Sequence, residues 1–162
     1  MTSEDKIAND LTEKFRSLSG KIRVQRARRI MAEVDKDSFE EVLGYAIKIL
    51  RFSILCTITG LDERQSIGLI YHIARTDGIV LSIKTSVSYE KPLMNTITPY
   101  FPAAEIYERE IADLLGVEIA GLGPGNRYPL PDNWPKGEYP LRKNWKKNAS
   151  ANNIIKERTD NA

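Results

Sequence analysis

The chain has 162 residues, 41% of them apolar, which is enough for one domain that buries a real core. Lys and Arg number 24 against 22 Asp and Glu, so no overall field directs the chain to nucleic acid or to an anionic membrane. A single cysteine excludes a disulfide framework and a self-contained iron–sulfur cluster, and it fits a reducing compartment.

The N-terminus, Met-Thr-Ser-Glu-Asp-Lys, is polar and acidic and does not read as a signal peptide. Ser3 to Leu18 then carries Ile7, Leu11, Phe15 and Leu18 at helical spacing, and Gly20 ends that amphipathic helix. Lys21 to Val34 is extended in character: Ile22 and Val24 alternate with polar residues, as do Ile30, Ala32 and Val34, around a turn at Arg26–Arg29. Ser38-Phe-Glu-Glu41 has the form of a capping box and opens a second helix. Its apolar stripe is Phe39, Val42, Leu43, Ala46, Ile47 and Leu50. The most apolar window, Val42 to Ile58, is broken by Lys48 and Arg51 and falls short of the roughly 20 residues of a membrane span. The chain is therefore expected to be soluble, with any membrane association made through partners.

Three strands follow. Phe52 to Thr59 is β-branched and apolar; Ser66 to Ala74 sets Ile67, Leu69, Tyr71 and Ile73 on one face. Ile79 to Val87 alternates Ile79, Leu81, Ile83 and Val87 inward with Ser82, Lys84 and Ser86 outward, and short connections make the three an antiparallel meander. After Pro92, Pro99 and Pro102 comes a short charged helix over 103–115, with Gly116 at its left-handed end. From Gly121 to Trp145 the recurrent Gly and Pro forbid helix and ordinary sheet, yet Trp134, Tyr139 and Trp145 are poor residues to leave in water. An irregular arm with aromatic anchors must lie on something. The expected fold is α+β, a ferredoxin-like plait (a mostly antiparallel sheet with helices on one face) plus an extended Pro/Gly-rich C-terminal arm. Its expected boundaries are 1–117 for the α+β domain, 118–147 for the arm and 148–162 for a polar, flexible tail.

The search for chemistry returns mostly negatives. Gly121-x-Gly123-x-Gly125 lacks the strand–turn–helix setting of a dinucleotide loop and reads as a turn. His72 is the sole histidine, so no multi-histidine metal site exists; on the outer phase of its strand it reads as a surface or interface residue. Cys56 shares a phase with Phe52, Ile54 and Ile58, which predicts a buried, inert thiol. On the charged helix, Glu108 and Glu110 are two apart and do not face each other, so they are no acid–base pair. Glu105 and Arg109 can form a helical ion pair worth about 0.3–0.5 kcal/mol. Glu110 and Asp113 put like charges three apart, which asks for a cation from elsewhere. Either this is an ordinary solvated face, or Glu108, Arg109 and Glu110 bind Arg142 and Lys143 of the arm or a neighbouring subunit's basic groups. Lys21, Arg23, Arg26, Arg28 and Arg29 form a basic patch that raises RNA binding as a rival, but no strand carries the stacking aromatics such modules use.

Three blocks in order carry a resemblance: Glu108-Arg109-Glu110-Ile111-x-Asp113-Leu114-Leu115-Gly116-Val117, then Leu130-Pro131-Asp132-Asn133-Trp134-Pro135, then Tyr139-Pro140-Leu141-Arg142-Lys143. They resemble the 30-kilodalton subunit family of respiratory complex I, which includes the matching subunits of membrane-bound, energy-converting NiFe hydrogenases. The resemblance implies a non-catalytic structural subunit of an oxidoreductase, with no catalytic residues of its own. Its place would be the peripheral electron-transfer arm on the cytoplasmic side of the membrane. There it would pack on the large catalytic subunit and the small iron–sulfur subunit. Iron–sulfur clusters and a NiFe centre, or quinone, would sit in those partners, and this chain would bind no cofactor or metal. The motif residues, together with Arg127 in the arm, are implied as the subunit interface. Complex I members usually read Asp-Met-Phe-Gly and then Gly-His-Pro; this chain has Asp113-Leu-Leu-Gly116 and Gly121-Leu-Gly-Pro-Gly125. The long link from Trp134 to Arg142 looks more like the hydrogenases and formate hydrogenlyase-type complexes, which makes that branch the expectation over an NADH-quinone oxidoreductase.

Overall fold

The computed structural model describes residues 1–146. The expected tail over 148–162, and Lys147 at the end of the arm, lie outside the described residues. The elements are α1 (Ser3–Lys14), β1 (Ile22–Arg26), β2 (Arg29–Glu33), α2 (Lys36–Lys48), β3 (Ile54–Asp62), β4 (Ser66–Ala74), β5 (Val80–Ser88), β6 (Leu93–Asn95), α3 (Ala104–Leu115) and β7 (Glu118–Ala120). The described residues fall into two compact units: Met1–Gly60 with Gly68–Val87, and Leu61–Ile67 with the described chain after Val87.

The first unit holds the sheet, in the order β1-β2-β5-β4-β3. β1 and β2 form the expected hairpin, with Ile22 opposite Ala32 and Val24 opposite Ile30. The turn between them carries Arg28 at a positive φ of 61°. The links after β3 and β4 are a few residues long, and strands joined so briefly are antiparallel, as the meander requires. β2 and β5 are parallel, Ile30 beside Leu81 and Ala32 beside Ile83. This parallel pair in the middle of a mostly antiparallel sheet is not part of the expected meander. The α+β class holds.

The alternation in β4 and β5 does what it predicts. Ile67, Leu69, Tyr71 and Ile73, with Ile79, Leu81, Ile83 and Val87, are all buried. Phe39 of α2 packs its ring on Tyr71 at 4.5 Å between centroids, and Phe15 meets Tyr45 edge-on at 5.5 Å. Two local expectations are corrected. The capping box belongs to α1, where Thr2 and Asp5 satisfy each other's backbone donors. α2 starts two residues before Ser38, from Asp35 as N-cap, and Asp35 makes no side-chain bond to the first turn because it pairs with Lys21 at 2.9 Å. The second correction is Cys56, whose thiol is exposed. β3 is the sheet's edge strand, so the apolar phase of its first half, with Ile54 46% exposed, lacks the cover given to the central strands.

In the second unit, β6 and β7 pair in parallel, Leu93 beside Glu118 and Asn95 beside Ala120, with α3 as their crossover. The charged helix therefore folds with the irregular segment that follows it. Among the described residues no helix is long and apolar enough to cross a membrane.

Candidate functional site

The motif residues meet on and around α3. Ala104, Ile111 and Leu115 bury one stripe of that helix, and Gly116 ends it in the left-handed conformation at φ 71°, donating to the carbonyl of Ala112. Charges on such a helix are normally solvated. Here Glu108, Arg109 and Asp113 are spent on the surrounding chain.

Glu108 is 1% exposed. Its carboxylate accepts the Thr96 hydroxyl at 2.6 Å and the Ile97 N–H at 2.7 Å, which ties the loop after β6 to the helix. Burial pushes its carboxyl above the usual glutamate range, the two hydrogen bonds offset part of that, and the nearby Glu105 charge adds to it. The sign follows: the folded state holds this proton more tightly than the unfolded one. Glu108 thus contributes most below the ordinary glutamate range, and that contribution is lost as pH rises through its raised folded value. Glu108→Gln should flatten the fall in stability as pH rises from the ordinary glutamate range through the raised folded value, because the amide stays neutral while Thr96 can turn its hydroxyl to accept. Glu108→Ala should cost about 1–3 kcal/mol by stranding the Ile97 N–H. Denaturant midpoints at several pH values measure both; an unchanged pH slope in Glu108→Gln would reject the assignment.

Arg109 donates to Glu105 at 2.8 Å and to the carbonyl of Gly123 at 2.8 Å. Gly125 lies against its guanidinium so closely that a Cβ there would collide with it. The missing Cβ of Gly125 thus lets the loop wrap an arginine, which is the use of a motif that reads as a turn. Glu110 is half-buried and has no hydrogen-bond or ion-pair partner among the described residues.

Asp113, 8% exposed, receives the cation that its spacing from Glu110 demands, and the donor is Arg127. The other Asp113 oxygen accepts the Leu130 N–H at 2.8 Å, and Arg127 also donates to the carbonyl of Trp134 at 2.8 Å. Trp134 is buried, gives its indole N–H to the Glu138 carbonyl at 2.9 Å, and lies 6.2 Å from the Trp145 ring. Pro131 accepts the Trp134 N–H in a turn whose tip, Asp132, is exposed.

The last block closes over the end of α3. The Tyr139 ring covers Gly116. Pro140 is half-buried, while Leu141, although 55% exposed, donates its N–H to the Leu114 carbonyl. Arg142 donates to the Leu115 carbonyl at 2.7 Å and lies 4.8 Å from the Tyr89 ring and 5.0 Å from that of Tyr139. A cation on the last carbonyls of a helix suits the macrodipole, and two aromatic faces hold it there. Lys143 gives its backbone N–H to Asp62 at 2.7 Å and keeps its side chain exposed. The expected pairing of Glu108, Arg109 and Glu110 with Arg142 and Lys143 is therefore not the one made: the acids bind Ile97, Thr96 and Arg127, and the two basic residues reach backbone and Asp62.

Asp62 lies outside the motif blocks, yet it anchors the last of them. Burial would raise its carboxyl, but the N–H groups of Lys143 and Arg64 and the Tyr89 hydroxyl outweigh it and hold it below the usual range. Its sequence signal is the Asp-Glu-Arg turn, where an aspartate bonds to a backbone N–H two residues on. His72, on the outer phase as expected, lies between Thr59 at 3.2 Å and Ser82 at 2.8 Å, and burial lowers its pKa.

The comparisons agree with the motif blocks. The family model described as the respiratory-chain NADH dehydrogenase 30-kDa subunit matches residues 32–151. A subunit of the F(420)H(2) dehydrogenase of Methanosarcina mazei is 32% identical over 136 residues, covering 80% of this chain and 86% of that one. The membrane-bound hydrogenase subunit beta of Pyrococcus furiosus is 22% identical over 143 residues, 85% of this chain and 83% of its own. Among solved structures, a chain of the membrane-bound sulfane sulfur reductase, an archaeal respiratory membrane complex, superposes with a TM-score of 0.82 at 27% identity, covering 96% of this chain and 92% of that chain. The chain belongs to the family of the 30-kDa subunit of the respiratory-chain NADH dehydrogenase, whose relatives here are subunits of membrane-bound respiratory and hydrogenase complexes.

Proposed function

We propose that this chain is a non-catalytic structural subunit in the peripheral electron-transfer arm of a membrane-bound, energy-converting NiFe hydrogenase. It packs on the large catalytic subunit and the small iron–sulfur subunit, which hold the NiFe centre and the clusters. It reaches the cytoplasmic face of the membrane through those partners. One observation carries the structural role: Asp113 is committed to Arg127 and Leu130 and Arg142 to the Leu115 carbonyl, which hold the arm, and Glu108 to Ile97, which holds the loop after β6. Groups so committed build a surface; they do not present an acid or base to a substrate. The same unit leaves Ile106, Tyr128 and Leu141 between 44% and 55% exposed, the apolar contacts a neighbouring subunit would cover.

The long link between Trp134 and Arg142 favours the hydrogenase branch. It is built as a turn, with the Trp134 indole on the Glu138 carbonyl and Glu138 also accepting the Trp145 indole N–H. A second reading, a complex I-like enzyme that oxidises a reduced carrier and passes electrons to a quinone-type acceptor, is favoured by the similarity to the F(420)H(2) dehydrogenase.

Mass spectrometry of what co-purifies with the tagged chain from gently solubilised membranes separates them. A NiFe large subunit without a quinone-reducing set is the expected result. A complex I-like set would keep the structural role and move the reaction. Recovery of RNA, or of no partner, would overturn both.

A further inference from the structure

The basic run from Lys21 to Arg29, in the first unit, takes no part in holding the arm. Lys21 is paired with Asp35, and the Glu4 carboxylate accepts the Arg28 N–H at 2.6 Å. The guanidinium groups of Arg23, Arg26 and Arg29 have no ion-pair partner among the described residues; Arg29 reaches only the carbonyl of Arg28.

The hairpin sets these three on one face. Arg23 lies opposite Met31 and Val24 opposite Ile30; the register then slips, so that Arg26 lies opposite Arg29. Ile30 and Ala32 are buried, which puts Arg29 and Met31 on the other face of β2, and Arg23 and Arg26 share that face as their cross-strand partners. In an unbroken strand Arg23 and Arg26, three apart, would point to opposite faces. The extra residue, Gln25, re-aims Arg26.

Like charges directly opposite each other on neighbouring strands repel, so the Arg26–Arg29 pair asks for an anion between its members. The sheet does not supply one. Glu33 is the only carboxylate on β1, β2 and β5, and it already lies beside Lys84. β1 is also an edge strand, with no strand on its far side. Arg23 and Arg26 are exposed on one of its faces, and Val24, on the other, is 37% exposed. The turn is preformed, because the Arg28 carbonyl accepts the Val80 N–H at 3.0 Å while Glu4 holds the Arg28 N–H, so docking here orders little new chain.

We infer that β1 docks an extended acidic segment of a neighbouring subunit, added to the sheet as a further edge strand. Its carboxylates, at alternate positions, bridge Arg23, Arg26 and Arg29 on one face, and its apolar residues cover Val24 on the other. Arginine suits the task, since a planar guanidinium holds a carboxylate by two parallel hydrogen bonds. The run from Lys21 to Arg29 has no aromatic residue on which a nucleic-acid base could stack. This docking rests on the subunit role proposed above, and it holds for either branch of the family.

Two measurements let the docking and the subunit role fail separately. In the first, the full-length chain is titrated at low ionic strength with a short peptide alternating Glu and Val, and its amides are followed by NMR. Saturable shifts at Arg23, Val24, Gln25 and Arg26 are expected. Arg23→Glu with Arg26→Glu should weaken binding about tenfold or more without lowering the unfolding midpoint, because Arg26→Glu turns a repulsive cross-strand pair into an attractive one. The docking is overturned if the peptide does not bind, if a peptide alternating Gln and Val binds as tightly, or if the double variant binds as the parent does. Tighter binding of single-stranded RNA or of phosphatidylglycerol vesicles than of the acidic peptide overturns it as well. In the second, hydrogen exchange of the β1 amides is compared between the isolated chain and the complex recovered with it from gently solubilised membranes. Exchange about tenfold slower in the complex is expected. Unchanged exchange in a recovered complex overturns the docking and leaves the subunit role standing, whereas failure to recover any partner overturns that role and the docking with it.

Discussion

Asp113→Ala should release the segment from Arg127 to Trp145 and cost about 3 kcal/mol, the low end of what removing one partner of a buried ion pair costs. The carboxylate is 8% exposed and its Arg127 partner 24%, so solvent screens the pair only in part. Its loss leaves a guanidinium half-buried without its counter-ion and the Leu130 N–H without an acceptor. Arg127 is also the only side-chain donor to the Trp134 carbonyl among the described residues, so the indole loses its orientation in turn. Asp113→Asn should lie between, keeping the bond to Leu130 and losing the charge. Hydrogen exchange read at the Leu130 and Trp134 amides, beside a denaturant midpoint, measures the effect. Replacing both partners with apolar residues of similar volume, Asp113→Leu with Arg127→Met, should recover most of the stability, since neither charge is then stranded. If Asp113→Ala left the Trp134 amide as protected as in the parent, the pair would not be what holds the arm. Under the structural role proposed above, the same variant should fail to retain its partners in a pull-down although β1 to β5 stay folded.

How much of this could be read in the chain depends on whether a feature is local. The inward phases of β4 and β5, the helices and the left-handed Gly116 follow from periods and single-residue conformational limits, and these hold. The parallel partners β2–β5 and β6–β7 could not be read so, because alternation says which face a strand buries and nothing about which strand lies beside it. Parallel neighbours are joined by long crossovers, so their pairing leaves no turn signature. Cys56 shows the same limit: its phase is apolar, but the edge position of β3 decides its exposure. Ser38 and Glu41 match a capping box in pattern, yet the chain leaving β2 reaches Asp35 first and the helix starts there. At the site, the like charges of Glu110 and Asp113 correctly demanded a cation. Which cation answers depended on the turn at Gly121–Gly125, which brings Arg127 back and sends Arg142 on to the helix end.

Gly116→Ala should be the most damaging small substitution in the motif, at about 2–4 kcal/mol, from two separable causes. The backbone sits at φ 71°, where an L side chain costs about 1–2 kcal/mol. The added Cβ would also come within 2.7 Å of Cε2, Cζ and Cδ2 of the Tyr139 ring, and overpacking of that kind costs about 1–3 kcal/mol. Relief requires the ring to move, and the ring is one of the two faces that hold Arg142 on the Leu115 carbonyl. The damage should therefore spread from the helix end into the last block of the arm. A double-mutant cycle separates the causes. In a Tyr139→Ala background the steric part vanishes, so Gly116→Ala should there cost only its backbone term, and the coupling should be of the order of 1–3 kcal/mol. Gly116→Asn, which tolerates the left-handed conformation better than alanine but carries the same Cβ, should be about as harmful as Gly116→Ala while Tyr139 is present and milder once it is gone. If the two substitutions cost the same in both backgrounds, Tyr139 does not press on Gly116. The glycine would then serve only as a helix stop, and the arm's last block would owe its place to Arg142 and Asp62 alone.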